Sequence, residues 1–255
     1  MAIIMCDRMR SKLEAGQMCK GIHCSSADMT LYEVAALSGI DYVWLDTEHA
    51  AINMESILNG MMVLQGRGVS AIVRVANCDP VLAKTFLDNG ADGIVFPMVC
   101  TAEQARLAVA ACRYPLKGIR GFGPRRCYDY GNMSAVQQTE YADKHVMPII
   151  QIEHVDAVNN LDEILAVEGV EYAVIGPMDL SASVGKVGQL EDPEVKGMLD
   201  TIIDKCKARG VKIGVSTGPN RKLYEYCMEK KIDFISVGNP ASYLKRGIQQ
   251  VLFND

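Results

Sequence analysis

The stretch Asp41-Tyr42-Val43-Trp44-Leu45-Asp46-Thr47-Glu48-His49 joins a short apolar run to a cluster of ionisable side chains. Its first half is rich in β-branched and aromatic residues, which is typical of a buried strand. Two carboxylates and an imidazole then follow within four residues, from Asp46 to His49. Ligands bind at the carboxyl ends of the strands in parallel sheets and barrels. The stretch therefore predicts a buried strand that brings functional groups to the rim of such a fold.

Short apolar strands alternate with helical segments on both sides of this stretch. Eight strands are predicted, over about 18–24, 41–45, 70–75, 93–97, 147–153, 171–176, 211–215 and 233–238. Helices between consecutive strands favour parallel pairing through right-handed crossovers. We therefore expect an α/β protein with a single (β/α)8 TIM-barrel domain over residues 1–255, a usual length for this fold. A doubly wound open sheet is the alternative, although the first turn, His23-Cys24-Ser25-Ser26, lacks the glycine-rich dinucleotide motif.

The composition is that of an ordinary globular protein, with 49% hydrophobic and 22% charged residues. The net charge is -5 and no basic block stands out, so we expect no nucleic-acid partner. Nine cysteines without a C-x-x-C pair indicate a reducing compartment rather than disulfides or structural zinc. The N-terminal segment lacks the long apolar stretch of a signal peptide, and no apolar run is long enough to span a bilayer. We expect a soluble cytoplasmic protein without a membrane partner.

Polar residues follow the ends of several predicted strands, where a barrel carries its active site. They are His23, Asp46, Glu48, His49, Arg74, Gln151, Glu153, Asp179, Ser216 and Thr217. The strand period of two places Gln151 and Glu153 on one face, and Asp179 follows the next strand. Two carboxylates from adjacent strands suit Mg²⁺ or Mn²⁺, whereas the simpler interpretation is a salt bridge and a helix cap. A Schiff-base aldolase is disfavoured because these strand-end positions include no lysine.

Several motifs in the same order resemble the HpcH/HpaI family of class II pyruvate aldolases, over residues of about 17–250. The matching stretches are 44–50, 72–75, 77–80, 96–99, 113–121, 151–153 and 174–181. The resemblance implies a TIM barrel of the phosphoenolpyruvate/pyruvate type. It also implies an aldolase of aromatic or sugar acid catabolism that cleaves 4-hydroxy-2-oxo acids to pyruvate and an aldehyde.

The resemblance implies a divalent metal ion, Mg²⁺, Mn²⁺ or Co²⁺, with Glu153 and Asp179 as its protein ligands. The ion would also hold the carboxylate and the keto oxygen of pyruvate. Arg74 matches the arginine that faces the same keto oxygen, where a fixed positive charge stabilises an enolate.

The keto acid is expected beside Gln151. Backbone N–H groups of the segment that contains Gly176, Pro177 and Met178 match those that receive its carboxylate. The basic loop over residues 118–126 is a solvated or intersubunit loop in the simpler interpretation. By resemblance it lies near the mouth, and Arg120 is its candidate for binding an acidic substrate tail.

His49 matches the acid/base of the family, although a lone histidine is more often structural. Asp88 matches the carboxylate that orients this histidine, and such a partner fixes the tautomer and raises the basicity of the other nitrogen. Asp46 matches a further acid of the same cluster, and Glu48 is expected only to brace the loop. The base takes the proton of the C4 hydroxyl, the C3–C4 bond breaks, and the pyruvate enolate is then protonated.

Other functions stay open at this point. Oxaloacetate decarboxylation or another enolate-forming lyase reaction uses the same groups, and a non-catalytic keto-acid-binding protein is a third alternative. A CoA-dependent lyase is disfavoured because no added C-terminal segment is present to hold a nucleotide. The resemblance implies a homo-oligomer, a hexamer built as a trimer of dimers, with the last helix around 243–252 exchanged between subunits. His23 occupies a position at which the family members that cleave dicarboxylates resemble Trp. This position should shape the pocket for the aldehyde half of the substrate, so the exact substrate stays open.

Overall fold

A computed structural model describes residues 6–253 as a closed barrel of eight parallel strands. The strands pair in chain order, and the last strand closes the barrel against the first. Their bounds are β1 Cys19–Cys24, β2 Tyr42–Asp46, β3 Ser70–Arg74, β4 Gly93–Phe96, β5 Met147–Ile152, β6 Tyr172–Ile175, β7 Lys212–Thr217 and β8 Phe234–Val237. The predicted (β/α)8 barrel is confirmed. Residues 1–5 and 254–255 of the predicted domain lie outside the described residues.

Helices connect the strands and surround the barrel. Their bounds are α1 Arg8–Glu14, α2 Met29–Leu37, α3 Met54–Gly66, α4 Pro80–Asp88, α5 Ala102–Ala111, α6 Ala135–His145, α7 Val155–Asn159, α8 Leu161–Leu165, α9 Pro177–Ala182, α10 Pro193–Ala208, α11 Arg221–Glu229 and α12 Pro240–Leu252. The single helix predicted after β5 is wrong in one respect, because it is divided into α7 and α8 at Asn160. The Asn160 side chain donates to the backbone oxygen of Cys100 at 2.9 Å, which ties this break to the preceding loop.

Alternation along the strands separates the barrel interior from the layer between strands and helices. In β2, Tyr42 and Trp44 belong to the interior cluster, whereas Val43 and Leu45 belong to the outer one. Met9 and Leu13 of α1 join the interior cluster from the amino-terminal end of the barrel. Because the side-chain period of a strand is two, the last inward position of β2 falls on Asp46. The same rule carries polar side chains of other strands into the mouth.

No helix within residues 6–253 combines the length and the apolar character that a bilayer crossing requires. All nine cysteines are free thiols, in agreement with the expectation of a chain without disulfides.

Candidate active site at the mouth of the barrel

A cavity of about 680 Å³ opens at the carboxyl end of the strands. Most of the predicted site residues line this cavity. Its lining residues lie at or after the ends of all strands except β4. The predicted residues among them are Asp46, His49, Arg74, Gln151, Gly176, Pro177, Met178 and Asp179. Serines and threonine from other strand ends complete the wall: Ser25, Ser26, Ser216 and Thr217. The structure therefore gathers most of the predicted site at one place.

Arg74 is held rigidly at the end of β3. Its Nε and Nη2 donate to the two carboxylate oxygens of Asp46 at 3.0 Å and 2.6 Å, and its Nη1 lies 3.1 Å from Glu48. The Trp44 ring lies beneath the guanidinium, 5.4 Å from centroid to Cζ. Burial acts to raise the pKa of Asp46, but the ion pair with Arg74 outweighs it and the pKa is lowered. Asp46 is therefore a fixed anion that orients Arg74.

Glu153 is buried directly after β5. Its Oε1 accepts the backbone N–H of Met98 at 2.8 Å, and its Oε2 accepts the Gln151 amide. Burial raises the pKa of Glu153 to about 7, and the negative charges of Asp179 and Glu48 add to the shift against the opposing Met98 bond. A buried carboxylate with this surplus of negative charge is a place where a cation would be stabilised.

The surroundings of Glu153 exclude a side chain at position 176 and contain a polar atom without a partner. Gly176 lies so close that a Cβ there would come within 2.6 Å of Glu153 Oε2. The side-chain amide oxygen Oε1 of Gln151 is buried and accepts no hydrogen bond from any described residue. Within residues 6–253, no three His, Cys, Asp or Glu side chains are grouped to hold an ion by themselves. A cation here would therefore take its remaining ligands from water or substrate oxygens.

His49 lies at the rim with 63% of its side chain exposed. Its Nε2 is 3.7 Å from the carboxylate of Glu48, and its backbone N–H contacts Asp46 at 3.5 Å. Glu48 thus bridges Arg74 and His49, a more central place than a loop brace. The Asp-x-Glu-His spacing in the sequence already indicated that Glu48 is close to both Asp46 and His49.

Asp88 and Arg120 do not line this cavity within the described chain, and the roles that the resemblance implies for them stay predictions. Asp88 is the last residue of α4, which returns from the mouth toward the start of β4, away from His49. Its carboxylate pairs with Arg120 at 3.1 Å. Arg120 is only 3% exposed and lies over the Tyr114 ring, so it cannot contact a substrate in the mouth of the same chain. Of the basic side chains in the loop over 118–126, Arg120 and Arg126 are buried and Arg125 is exposed.

The hydrogen bond of Met98 and the partners of His23 were not predicted from the sequence. Met98 donates the backbone hydrogen bond that fixes Glu153, with a φ of 52° that nothing in its residue type indicates. His23 bonds through both ring nitrogens, to Ser216 at 3.1 Å and Ser236 at 3.2 Å. The positions of His23 and Ser216 at strand ends were visible in the sequence, but their contact was not.

Comparison with known proteins yields consistent similarities over nearly the whole chain. The family model described as HpcH/HpaI aldolase/citrate lyase matches residues 20–240. A pyruvate aldolase from Rhizobium etli is 34% identical over 242 residues, covering 94% of each chain. A 2-dehydro-3,6-dideoxy-6-sulfogluconate aldolase from Pseudomonas putida is 35% identical over 91% of this chain and 90% of its own. A crystal structure of an HpcH/HpaI aldolase from Desulfitobacterium hafniense superposes with a TM-score of 0.88 at 29% identity, covering 95% of both chains.

Proposed function

The chain belongs to the HpcH/HpaI aldolase/citrate lyase family and is a carbon–carbon lyase, and on this premise we propose that it is a metal-dependent pyruvate aldolase. Its reaction is the reversible cleavage of a 4-hydroxy-2-oxo acid to pyruvate and an aldehyde. The observation that carries the proposal is the pair of opposed groups in the mouth. The Arg74 guanidinium is fixed at the end of β3, whereas Glu153 is a buried carboxylate after β5 whose surroundings gain further negative charge from the exposed Asp179.

The residues present fit a divalent cation. Glu153 is a buried carboxylate, Asp179 adds negative charge nearby, and the side-chain amide oxygen of Gln151 has no hydrogen-bond partner. Glu153 and Asp179 would hold the ion, and hard oxygen ligands of this kind suit Mg²⁺, Mn²⁺ or Co²⁺. When bound, the ion would withdraw electron density from the keto group of the substrate and so make the neighbouring carbon easier to deprotonate.

Arg74 supplies charge stabilisation at the keto oxygen. Asp46 and Glu48 hold the guanidinium in place, so no reorganisation is needed when negative charge develops on the enolate. Gln151 orients the keto acid beside it, and the free backbone N–H groups at the start of α9, directly after Gly176 and Pro177, receive the carboxylate, with Met178 the first that can donate.

His49 moves the proton in cleavage. It takes the proton of the C4 hydroxyl as the C3–C4 bond breaks, so that C4 leaves as the aldehyde carbon and the bonding pair enters the enolate. A proton then returns to C3 to give pyruvate. Glu48, 3.7 Å from the imidazole, is the acid of the same chain placed to orient it.

Pyruvate release from a series of 4-hydroxy-2-oxo acids, with Mg²⁺ or Mn²⁺ and then with excess EDTA, tests this proposal. Activity is expected only with metal. Glu153→Gln is expected to weaken Mn²⁺ binding in isothermal titration calorimetry at least tenfold, because the ligand loses its charge. Glu163→Gln, on the exterior helix α8, is the control. Activity that survives complete chelation contradicts the metal-dependent mechanism.

Oxaloacetate decarboxylation is the second candidate, and the uneven construction of the site favours it. Arg74, Gln151 and Glu153 are buried and fixed, whereas His49 is mostly exposed. Decarboxylation of oxaloacetate requires only the groups that stabilise the enolate and does not require an acid/base for a C4 hydroxyl. His49→Ala is therefore expected to slow aldol cleavage by about 10²-fold or more while decarboxylation is much less affected. An equal loss of both reactions contradicts the assignment of His49 as the aldol acid/base.

A further inference from the structure

The three strands opposite the keto-acid groups carry a separate set of polar side chains. His23 lies in β1, one residue before its end, Ser216 lies in β7 and Ser236 in β8, and these strands are neighbours in the closed barrel. Arg74 and Gln151 come from β3 and β5, across the mouth. The remainder of a substrate whose keto acid is bound by Arg74 and Gln151 can therefore extend toward the His23–Ser216 side.

His23 is locked in one position. Its Nε2 lies 3.1 Å from Ser216 Oγ and its Nδ1 lies 3.2 Å from Ser236 Oγ. Its backbone N–H donates to the carbonyl of Gly238 at 3.0 Å, and its ring packs against Trp44 with 4.9 Å between centroids. Ser236 is fully buried, whereas Ser216 lines the cavity. His23 therefore holds the Ser216 hydroxyl in a fixed position at the cavity wall.

The charge state of His23 decides what Ser216 can bind. Burial, together with the positive charge of Arg74, lowers the pKa of His23 to about 4, so the imidazole is neutral near pH 7. A neutral imidazole has one donor and one acceptor nitrogen, and each is used by one of the two serines. Ser216 keeps its remaining donor or acceptor capacity for the cavity, with no charge behind it.

The rest of this wall is also uncharged. Besides Ser216 and His23, the cavity is lined there by Thr217, Gly218, Gly238 and Asn239. Arg74 is the one Lys or Arg side chain among the described lining residues, and it is paired with Asp46 and Glu48 and faces the keto oxygen rather than this wall. A second carboxylate of the substrate would therefore meet no free positive charge from this chain on entering the cavity.

We propose that Ser216, positioned by His23, binds a hydroxyl group of the aldehyde half of the substrate. The enzyme then takes 4-hydroxy-2-oxo acids whose aldehyde half is hydroxylated and carries no carboxylate. This inference rests on the proposed aldolase function. A substrate hydroxyl both donates and accepts, as the serine does, whereas a methyl group would displace water from the half-buried Ser216 without replacing its hydrogen bond.

Condensation with pyruvate tests the substrate class with three aldehydes of similar size. Glycolaldehyde, propanal and glyoxylate place a hydroxyl oxygen, a methyl carbon and the carboxylate oxygens, respectively, two bonds from the aldehyde carbon. With Mg²⁺ or Mn²⁺ present, kcat/KM is expected to favour glycolaldehyde over each of the others by about tenfold or more. A ratio of glycolaldehyde to propanal near one, or a preference for glyoxylate, overturns the inference.

Substitutions of Ser216 and His23 test whether these residues cause the preference for glycolaldehyde over propanal. Ser216→Ala is expected to lower the ratio of glycolaldehyde to propanal about tenfold, and Ser216→Thr, which keeps the hydroxyl, to restore most of it. His23→Phe keeps the packing against Trp44 but frees Ser216, so it is expected to lower the ratio by a similar factor. The double variant is expected to add little, because both changes remove one interaction. Ser38→Ala, on the exposed end of α2, is the control. An unchanged ratio in Ser216→Ala overturns the inference.

Exchange of the pyruvate methyl protons with D₂O, followed by NMR, separates this inference from the aldolase proposal. Enolate formation needs no aldehyde, so exchange reports on the keto-acid half alone. Exchange together with unselective condensation overturns the inference and leaves the aldolase proposal standing. The absence of both exchange and condensation contradicts the aldolase proposal, and the inference falls with it.

Discussion

Arg74 shows how a single residue depends on its neighbours in this site. A lone buried guanidinium would be strongly unfavourable, and two carboxylates and the Trp44 ring offset that cost. The acids at 46 and 48 come from the same strand end, two positions apart, and both reach Arg74 of the neighbouring strand. The arrangement leaves the charge fixed and pointing into the mouth, where the keto oxygen is expected.

At the residue scale, His23 predicts a pH dependence of stability. Its folded pKa of about 4 lies below its ordinary value of 6.5, so the unfolded chain binds the proton more readily between these pH values. Stability from this group is present above pH 6.5 and is lost as the pH falls toward 4, by about 3 kcal/mol in all. The stability of wild type relative to His23→Phe should therefore decline by that amount from pH 7 to 4 in urea denaturation. A difference that does not change with pH contradicts the neutral, buried histidine.

Asp88 predicts a structural effect. Asp88→Ala leaves the buried Arg120 guanidinium without its carboxylate, and the loss is expected to be about 3–5 kcal/mol in urea denaturation. Asp88→Ala combined with Arg120→Met should recover most of it, because no unpaired charge remains. If Asp88→Ala were instead fully stable but slow in aldol cleavage, the pairing of Asp88 with His49 implied by the resemblance would be supported.

At the element scale, the barrel interior is filled by aromatic rings placed opposite glycines. Gly21 of β1 lies opposite Tyr42 of β2, and Gly214 of β7 lies opposite Phe234 of β8. A Cβ on Gly214 would come within 2.2 Å of the Phe234 ring, and one on Gly21 within 2.7 Å of Tyr42. Each glycine thus gives its neighbour room to turn inward, which is how small and large residues alternate in a closed barrel.

Gly214→Ala is therefore expected to destabilise the protein by about 3 kcal/mol or more through overpacking of Phe234. Gly197→Ala is the matched control, since Gly197 lies in α10 with open space around it. That change should stabilise the protein by about 0.5–1 kcal/mol, because alanine favours the helix. Thermal and urea denaturation measure both, and similar effects of the two changes would contradict the packing argument.

At the scale of the whole molecule, the last helix lacks a covering surface within the described chain. α12 buries none of its residues. Its apolar side chains Leu244, Ile248, Val251 and Leu252 recur at helical spacing, and all are exposed. An apolar stripe of this size on a helix is typical of a protein interface. It supports the expectation of a homo-oligomer, for which the hexamer with exchanged helices remains a prediction.

The assembly prediction is tested by introducing charge into this stripe. Leu244→Glu combined with Ile248→Glu is expected to dissociate the oligomer in analytical ultracentrifugation, because carboxylates would have to be buried in the interface. Gln250→Glu, on the other side of the helix, is the control. A wild-type chain that sediments as a monomer contradicts the prediction.

The barrel and most of its mouth could be predicted from residue patterns because those patterns are local. The period of two within each strand determines which residues point inward, and the chain order of the strands determines which ends are neighbours. Gln151, Glu153 and Arg74 were located in this way. The chemical roles of these residues cannot be inferred from the strand period and were implied only by the resemblance to the HpcH/HpaI family.

Side-chain partners were decided only by the tertiary structure, since they depend on distances between segments far apart in sequence. Asp88 pairs with Arg120 in the described chain, a contact that neither the sequence pattern nor the resemblance indicated. The basic loop looked like part of the mouth, yet Arg120 is buried within it. The contact of His23 with Ser216 joins residues 193 positions apart, and no local pattern reports it. The sequence by itself determined the scaffold and the strand ends that form the site, whereas closure of the barrel decided which of their side chains meet.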